Sequence, residues 1–142
     1  MAQNPPEGYH TITPQIIAED ADEILDFVKK VFDAEIHSVF ESDGVINHAE
    51  AGIGTSRLMV ASATDEFPVF PAMLNLYVDD VDATFARAVE QGAITLREPA
   101  DQFYGDRTGG VKDRQGNQWW ISTHIEDVSE DEMERRIAEM RG

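Results

Sequence analysis

The sequence contains no cysteine, which excludes disulfide bonds, a thiolate nucleophile and any metal site built on cysteine ligands. It also lacks an apolar run of the roughly 20 residues that a membrane-spanning helix needs. Its first ten residues, MAQNPPEGYH, have neither the basic start nor the apolar core of a signal peptide. We therefore expect a soluble cytoplasmic protein.

Positive charge is scarce, since 11 lysines and arginines face 28 aspartates and glutamates, for a formal net charge of −17. A field of this sign repels phosphate backbones and anionic lipid headgroups, which predicts that neither nucleic acid nor a membrane surface is a partner. The same field would attract a cationic ligand. A solvated acidic surface that keeps the protein soluble is the simpler explanation of the charge.

The chain is predicted to contain two copies of a unit with one strand, one helix and three further strands. Its 142 residues, 42% of them hydrophobic, suffice for one domain with a core and are too few for two ordinary domains. The first copy has its predicted elements at Thr11–Ala18, Asp20–Phe32, Glu35–Glu41, Val45–Ala51 and Arg57–Ser62. The second copy has them at Ala72–Val78, Asp80–Gln91, Ile94–Arg97, Gly109–Lys112 and Gln118–His124.

Local signals define the helices. Asp20 and Glu23 form a predicted capping box at the start of the first helix. In the second helix, Phe85 and Val89 are predicted to point inward, and Gly92 is placed to end it. A third helix, expected to dock on the body or on a second subunit, begins at Ser129 and carries an apolar face of Met133, Ile137 and Met140.

Several segments together point to a known family. They are the strand-to-helix junctions Glu19–Asp20 and Asp79–Asp80, and the stretches Ala100–Arg107, Asp113–Trp119 and His124–Ser129. They resemble the vicinal-oxygen-chelate superfamily (glyoxalase/bleomycin resistance/dioxygenase), and within it the PhnB-like subgroup. The resemblance implies an α+β fold in which two βαβββ modules form an open eight-stranded cup around a small-molecule cavity, in a homodimer. Superfamily activities range from isomerases and dioxygenases to drug sequestration, so the fold alone does not name the reaction.

On this resemblance we expect one domain over residues 1–142. Module one covers about residues 9–63, a linker about 64–71, module two about 72–125 and the C-terminal helix about 129–141. The two prolines of the linker suggest a stiff connection over the mouth of the cup, or simply one of fixed reach.

The residues at the family's metal positions are not metal ligands. Metal-dependent members carry ligands on the first and last strands of each module, and the corresponding positions here are Thr13, Leu58, Met73 and Trp120. The resemblance therefore implies that no metal or other cofactor is needed. A divalent metal at a relocated site around His48, Glu50 and His124 is the remaining alternative.

His48 and Glu50 are the candidate catalytic residues. They alternate on one predicted strand, so both side chains point to the same face of the sheet. A general acid–base mechanism needs such a pair within reach of a substrate, and an isomerase or lyase acting beside a carbonyl would suit it. The structural alternative is a hydrogen-bonded pair that supports the sheet.

Five further residues are candidates for ligand binding. In the predicted loop Asp101–Gly110, Arg107 can present a guanidinium fork to an anion while Tyr104 covers the ligand; alternatively Asp106 and Arg107 tie the loop to the strand ends. Trp120 would favour flat apolar ligands through stacking, or it fills the core. Gln15 and Asn75 are amides at matching places on the first strands, where they bond a ligand or a backbone.

These candidates favour a metal-independent small-molecule-binding protein whose reaction is undetermined. The alternatives are an isomerase or lyase that uses His48 and Glu50, and a resistance protein that sequesters a cationic or aromatic drug without reacting.

Overall fold

The computed structural model describes residues 2–142. The first repeat consists of β1 (Gln15–Ala18), α1 (Ala21–Phe32), β2 (Glu35–Ser42), β3 (Val45–Ile53) and β4 (Ser56–Ser62). The second consists of β5 (Met73–Tyr77), α2 (Val81–Glu90), β6 (Ile94–Asp101), β7 (Asp106–Lys112) and β8 (Gln118–His124). A final helix, α3, spans Glu130–Arg141.

Each repeat forms its own four-stranded mixed sheet. The strand orders are β1-β4-β3-β2 and β5-β8-β7-β6. In both sheets the first strand runs parallel to the last, and the other neighbours are antiparallel. The two sheets thus have the same topology, which confirms the predicted α+β class and the duplicated βαβββ order.

The chain divides into two compact units. The first unit contains residues 2–72 together with Arg114–Asn117, and the second contains Met73–Asp113 and Gln118–Gly142. Hydrogen bonds attach the segment Arg114–Asn117 to the first unit. The Gln115 side chain accepts a hydrogen bond from the Asp20 amide (3.2 Å) and donates one to Glu23 (3.2 Å). Asn117 is fully buried and accepts a hydrogen bond from the Ala72 amide.

The helices begin where the sequence predicts. Asp20 accepts a hydrogen bond from the Glu23 amide, and Asp80 accepts one from the Ala83 amide, so each carboxylate satisfies an amide at the positive end of its helix. α2 buries Phe85, but Val89 is 41% exposed, so the prediction that Val89 points inward is wrong. Val89 lies in the last turn of α2, one residue before the helix ends at Glu90.

The segment predicted as the loop Asp101–Gly110 is mostly strand. β6 continues to Asp101 and β7 already begins at Asp106, which leaves residues 102–105 as the connection. The glycines that suggested a loop serve close packing instead, because a Cβ on Gly110 would lie 2.5 Å from the Trp120 ring. Glycine within a strand therefore marks an approaching side chain here, and of Gly105, Gly109 and Gly110 only Gly105 has a positive φ (100°).

One face of each sheet packs on the helix of its own unit, and we call the other face the open face. In the first unit Ile16, Val60 and Ala49 are buried on the helix face. In the second, Trp119 and Ile121 are buried in the same way. Because side chains alternate along a strand, the residues between these positions lie on the open face.

α3 has no fully buried residue. Ser129 caps it by accepting a hydrogen bond from the Glu132 amide, as predicted, and Arg136 ties it to Glu126 and to the Phe103 carbonyl oxygen (2.9 Å). Its apolar face is only partly covered, since Met140 is 68% exposed. None of the helices within residues 2–142 is long and apolar enough to cross a membrane.

Candidate functional site

His48 and Glu50 lie together on the open face of the first sheet. The distance between His48 Nε2 and Glu50 Oε1 is 3.6 Å, longer than an ordinary hydrogen bond, and both side chains are partly exposed. Glu50 pairs with Met59 across β3 and β4, and Met59 pairs with Gln15 on β1, so three predicted residues share this face. The arrangement can transfer a proton, since a carboxylate and an imidazole face the same space.

Tyr9 completes this group, and nothing in the sequence pattern identified it. Its hydroxyl is buried and has no hydrogen-bond partner of good geometry among residues 2–142. Burial, and next the neighbouring Glu50 carboxylate, raise the pKa of Tyr9 to about 12. Tyr9, followed by His48 and Arg57, holds the pKa of the Glu50 carboxyl below its usual value. The Arg57 guanidinium lies 5.3 Å from the centroid of the Tyr9 ring.

The open face of the second sheet carries an aromatic platform. The Trp120 indole lies across Gly110, donates from Nε1 to Gln118 Oε1 (3.0 Å) and remains partly exposed. The Arg97 guanidinium is 5.5 Å from the centroid of the indole. Asn75 pairs directly with Trp120 across β5 and β8, and its side chain is exposed.

The far end of the same open face holds a hydrogen-bonded network. Asp106 is 6% exposed and accepts hydrogen bonds from Tyr77 Oη and His124 Nδ1, both at 2.8 Å. His124 Nε2 bonds Asp127 at 2.8 Å, and these two carboxylates, Asp106 first, raise the pKa of His124. Asp106, again first, raises the pKa of Tyr77, with a smaller contribution from Tyr104. Tyr104 is exposed at this end, with its ring against Phe103.

Arg107 lies on the opposite face from Trp120. It pairs with Thr123 across β7 and β8, and its guanidinium bonds Asp82 through Nε (2.8 Å) and Nη2 (3.0 Å) and Asp101 through Nη1 (3.1 Å). The structure therefore does not bring Arg107 together with Asn75 and Trp120. Its hydrogen bonds instead tie β7 to Asp82 of α2 and to Asp101 at the end of β6.

The residues at the family's metal positions do not fit a metal ion. Thr13 precedes β1, and the register corrects the match between the two units by one residue: Gln15 pairs with Met59, whereas Asn75 pairs with Trp120. The counterpart of Trp120 is therefore Met59 and not Leu58, which is buried on the helix face. Neither an indole nor a lone thioether is a ligand for a hard divalent cation. Within residues 2–142 no group of three or more His, Asp or Glu side chains could hold a metal ion.

Comparisons with known proteins agree with this fold. Residues 9–121 match the model of the Glyoxalase/Bleomycin resistance protein/Dioxygenase superfamily. The uncharacterised protein Mb0911c of Mycobacterium bovis is 32% identical, over 89% of this chain and 91% of its own length. TioX from Micromonospora sp. ML1 has a similar structure, with a TM-score of 0.70 at 24% identity over 82% of this chain and 99% of TioX. TnmS3, an antibiotic binding protein from Streptomyces sp. CB03234, has a TM-score of 0.65 at 19% identity, over 81% and 95% of the two chains.

Proposed function

Since the chain belongs to the glyoxalase/bleomycin resistance protein/dioxygenase superfamily, we propose that it binds a flat small molecule on the open face of its second sheet. One observation carries this proposal. The partly exposed Trp120 indole lies across Gly110, where the absence of a side chain leaves the ring room to lie along the sheet. Such a ring offers a stacking surface. The residues at the family's metal positions, which include Met59 and Trp120, are poor metal ligands and support binding that does not depend on a metal.

The surroundings of the indole suit a partly apolar ligand. Met73 and Tyr77 flank Asn75 on the same face of β5 and are 61% and 70% exposed. Exposed apolar side chains beside a polar amide are typical of ligand sites, where a few polar groups orient a ligand held mainly by apolar contact. We call Met73, Asn75 and Trp120 the platform.

Charge favours a cationic or neutral ligand. The Arg97 guanidinium lies at cation–π distance from the indole, so a ligand cation would have to take its place on the ring. The net charge of −17 would steer cations to the protein. TnmS3, which has this fold and is an antibiotic binding protein, supports binding of a small molecule as the function. Sequestration of a planar cationic drug without reaction is the form of the function that we favour.

Isothermal titration calorimetry tests the proposal, because it reports affinity equally in the wild type and in variants that lack the partly exposed Trp120. We would titrate the protein with 9-aminoacridine, a planar cation, and with anthracene-9-carboxylate, a planar anion. We expect the cation to bind more tightly and the Trp120→Ala variant to lose about tenfold in affinity, as for one stacking contact. Phe67→Ala, which removes another exposed aromatic ring, is the matched control and should bind as the wild type does. Equal affinity in Trp120→Ala and the wild type would refute the platform.

Acid–base catalysis is a second candidate, favoured by the ionised Glu50 carboxylate beside His48. Glu50 would remove a proton next to a carbonyl group and return one from solvent, with His48 assisting. Incubating 2-oxo acids in deuterated water and following loss of the α-proton signal by NMR tests this reaction. Catalysed exchange should disappear in Glu50→Gln and His48→Ala, while exchange that both variants retain would remove these residues from the mechanism.

Three finer features stand as parts of this proposal. The stretch Ala100–Arg107 and the ending His124–Ser129 favour the PhnB-like subgroup. The uncovered apolar face of α3 is compatible with a homodimer, and the composition with a cytoplasmic location. Sedimentation equilibrium at several protein concentrations tests whether the protein forms a homodimer.

A further inference from the structure

The N-terminal segment, residues 6–14, lies along the open face of the first sheet. The Pro14 carbonyl oxygen accepts a hydrogen bond from the Met59 amide (3.0 Å), and His10 Nε2 lies 3.1 Å from the Thr55 carbonyl oxygen. Tyr9, which precedes His10, places its ring 5.3 Å from the Arg57 guanidinium carbon, on the face of the sheet that also carries Glu50. The segment therefore fills part of a face that would otherwise be open.

Tyr9 occupies this place as a ligand would. Its aromatic ring meets a guanidinium, and its hydroxyl approaches an ionised carboxylate that His48 also approaches. Arg57 packs closely enough on the segment that a Cβ on Gly8 would lie within 2.4 Å of Arg57 Nη2. A cation for the ring and an acceptor for the hydroxyl are the groups needed to recognise a phenol.

The fit of Tyr9 is nevertheless incomplete. Its hydroxyl is buried without a hydrogen bond of good geometry, and a buried donor left in that state carries a desolvation cost. Residues 6–14 contain no helix or strand, and almost all of their side chains are exposed. A segment with so few attachments opens at low free-energy cost, which makes exchange with an external group feasible.

We propose that this face is a binding site for the phenolic ring of an external small molecule, and that Tyr9 occupies it as an internal, displaceable ligand. Arg57 contacts the ring and Glu50 accepts the hydroxyl hydrogen bond. The site lies wholly within the first unit, so it does not depend on the platform of the second unit. Ligand binding here requires the N-terminal segment to leave.

The test uses p-cresol, which has the chemistry of a tyrosine side chain without its backbone, and the full-length protein. Affinity would be measured by NMR chemical-shift titration of the wild type and of Tyr9→Ala. The apparent affinity of a site equals its intrinsic affinity multiplied by the fraction of molecules in which it is open. We expect weak binding to the wild type and about tenfold tighter binding to Tyr9→Ala, as for a segment that is open in about a tenth of the molecules.

A second variant keeps the phenol and loosens its attachment. Gly8 has a φ of 87°, a conformation that strains any residue with a side chain, so Gly8→Ala should loosen the segment and also raise the affinity for p-cresol. Tyr77→Ala is the matched control, because it removes an exposed tyrosine of the second unit and should leave p-cresol affinity unchanged. In the Tyr9→Ala background, Arg57→Gln and Glu50→Gln should each weaken binding again.

Four results would overturn the proposal. They are absence of binding to the wild type at saturating p-cresol, equal affinity in the wild type and Tyr9→Ala, equal binding of toluene and p-cresol, and loss of p-cresol binding in Trp120→Ala. The third result would indicate an apolar cavity that does not recognise the hydroxyl. The fourth would place the phenol on the platform instead of beside Glu50.

Discussion

The two units share a topology but use the same places on their open faces differently. Strand pairing puts three residues in a row across each sheet. The row holds Gln15, Met59 and Glu50 in the first unit and Asn75, Trp120 and Gly110 in the second. Glu50 beside Met59 in the first unit thus corresponds to Gly110 beside Trp120 in the second. The middle and outer positions are complementary in volume, as expected when neighbours on a sheet pack against each other.

This exchange changes what covers each face. In the first unit the row includes Glu50, and Tyr9 of the same chain lies near this carboxylate and against Arg57. In the second unit the indole lies on Gly110, and no segment of that unit fills the space of Met73 and Tyr77, which stay exposed. The two units thus share a strand topology but differ at this paired position, and one open face is polar and contacted by Tyr9 whereas the other is aromatic and exposed.

The largest expected effect is the difference in stability lost when the tryptophan on either face of β8 is replaced by alanine. Trp119 is 1% exposed and donates from Nε1 to Asp113 (2.9 Å), whereas Trp120 lies on the open face. We expect Trp119→Ala to lower the free energy of unfolding by about 3–5 kcal/mol, because it leaves a large cavity. Trp120→Ala should lower it by about 1 kcal/mol, because its ring is already partly in water. Urea unfolding measures both, and equal losses would mean that Trp120 is a core residue and the platform does not exist.

A second prediction tests the volume exchange at Gly110. Gly110→Ala places a methyl group about where the indole now lies, 2.5 Å from its nearest atom, so we expect a loss of about 1–3 kcal/mol in the free energy of unfolding. The backbone of Gly110 does not require glycine, since its φ is not positive. The loss should therefore fall by at least half in the Trp120→Ala background. If the double mutant shows no such coupling, the ring is not what requires glycine.

The smallest expected effect is a pH-dependent change in stability at His124, in the hydrogen-bonded network of the second unit. Where the second unit has Tyr77 and Asp106 bonded to His124, the first has Ile17 and Ile46 sixty residues earlier. Asp106, followed by Asp127, raises the pKa of His124 in the folded protein. The resulting stabilisation is fully present below the unfolded pKa of about 6.5 and is lost as pH rises through the higher folded value.

We therefore expect the wild type to exceed His124→Asn in free energy of unfolding most at about pH 6, by a small margin that shrinks toward pH 9. Unfolding curves at several pH values measure this difference. Because Asn can still donate a hydrogen bond to Asp106, the substitution keeps that bond and removes the imidazolium charge together with its contact to Asp127. A difference that grows with pH would contradict the direction of the shift.

The local sequence pattern alone sufficed to predict the helix starts, the order of the elements and the shared face of His48 and Glu50. The capping residues Asp20, Asp80 and Ser129 act within one helical turn, so neighbouring residues suffice to predict them. The repeat order and the fold class follow from hydrophobic periodicity and from the family resemblance, because each is a property of contiguous residues. His48 and Glu50 were placed on one face by the alternation of a strand, and they do lie together.

Tertiary structure decided the remainder, because it depends on pairing between distant segments. The register of β4, which makes Met59 and not Leu58 the counterpart of Trp120, shifts by one residue without any local signature. The glycines of β7 indicated a loop because their reason is not local: Trp120 of the neighbouring strand approaches Gly110, and Phe85 of α2 approaches Gly109. Arg107 found its carboxylates across elements, and Tyr9 reached Glu50 only because residues 6–14 fold back over a sheet formed later in the chain.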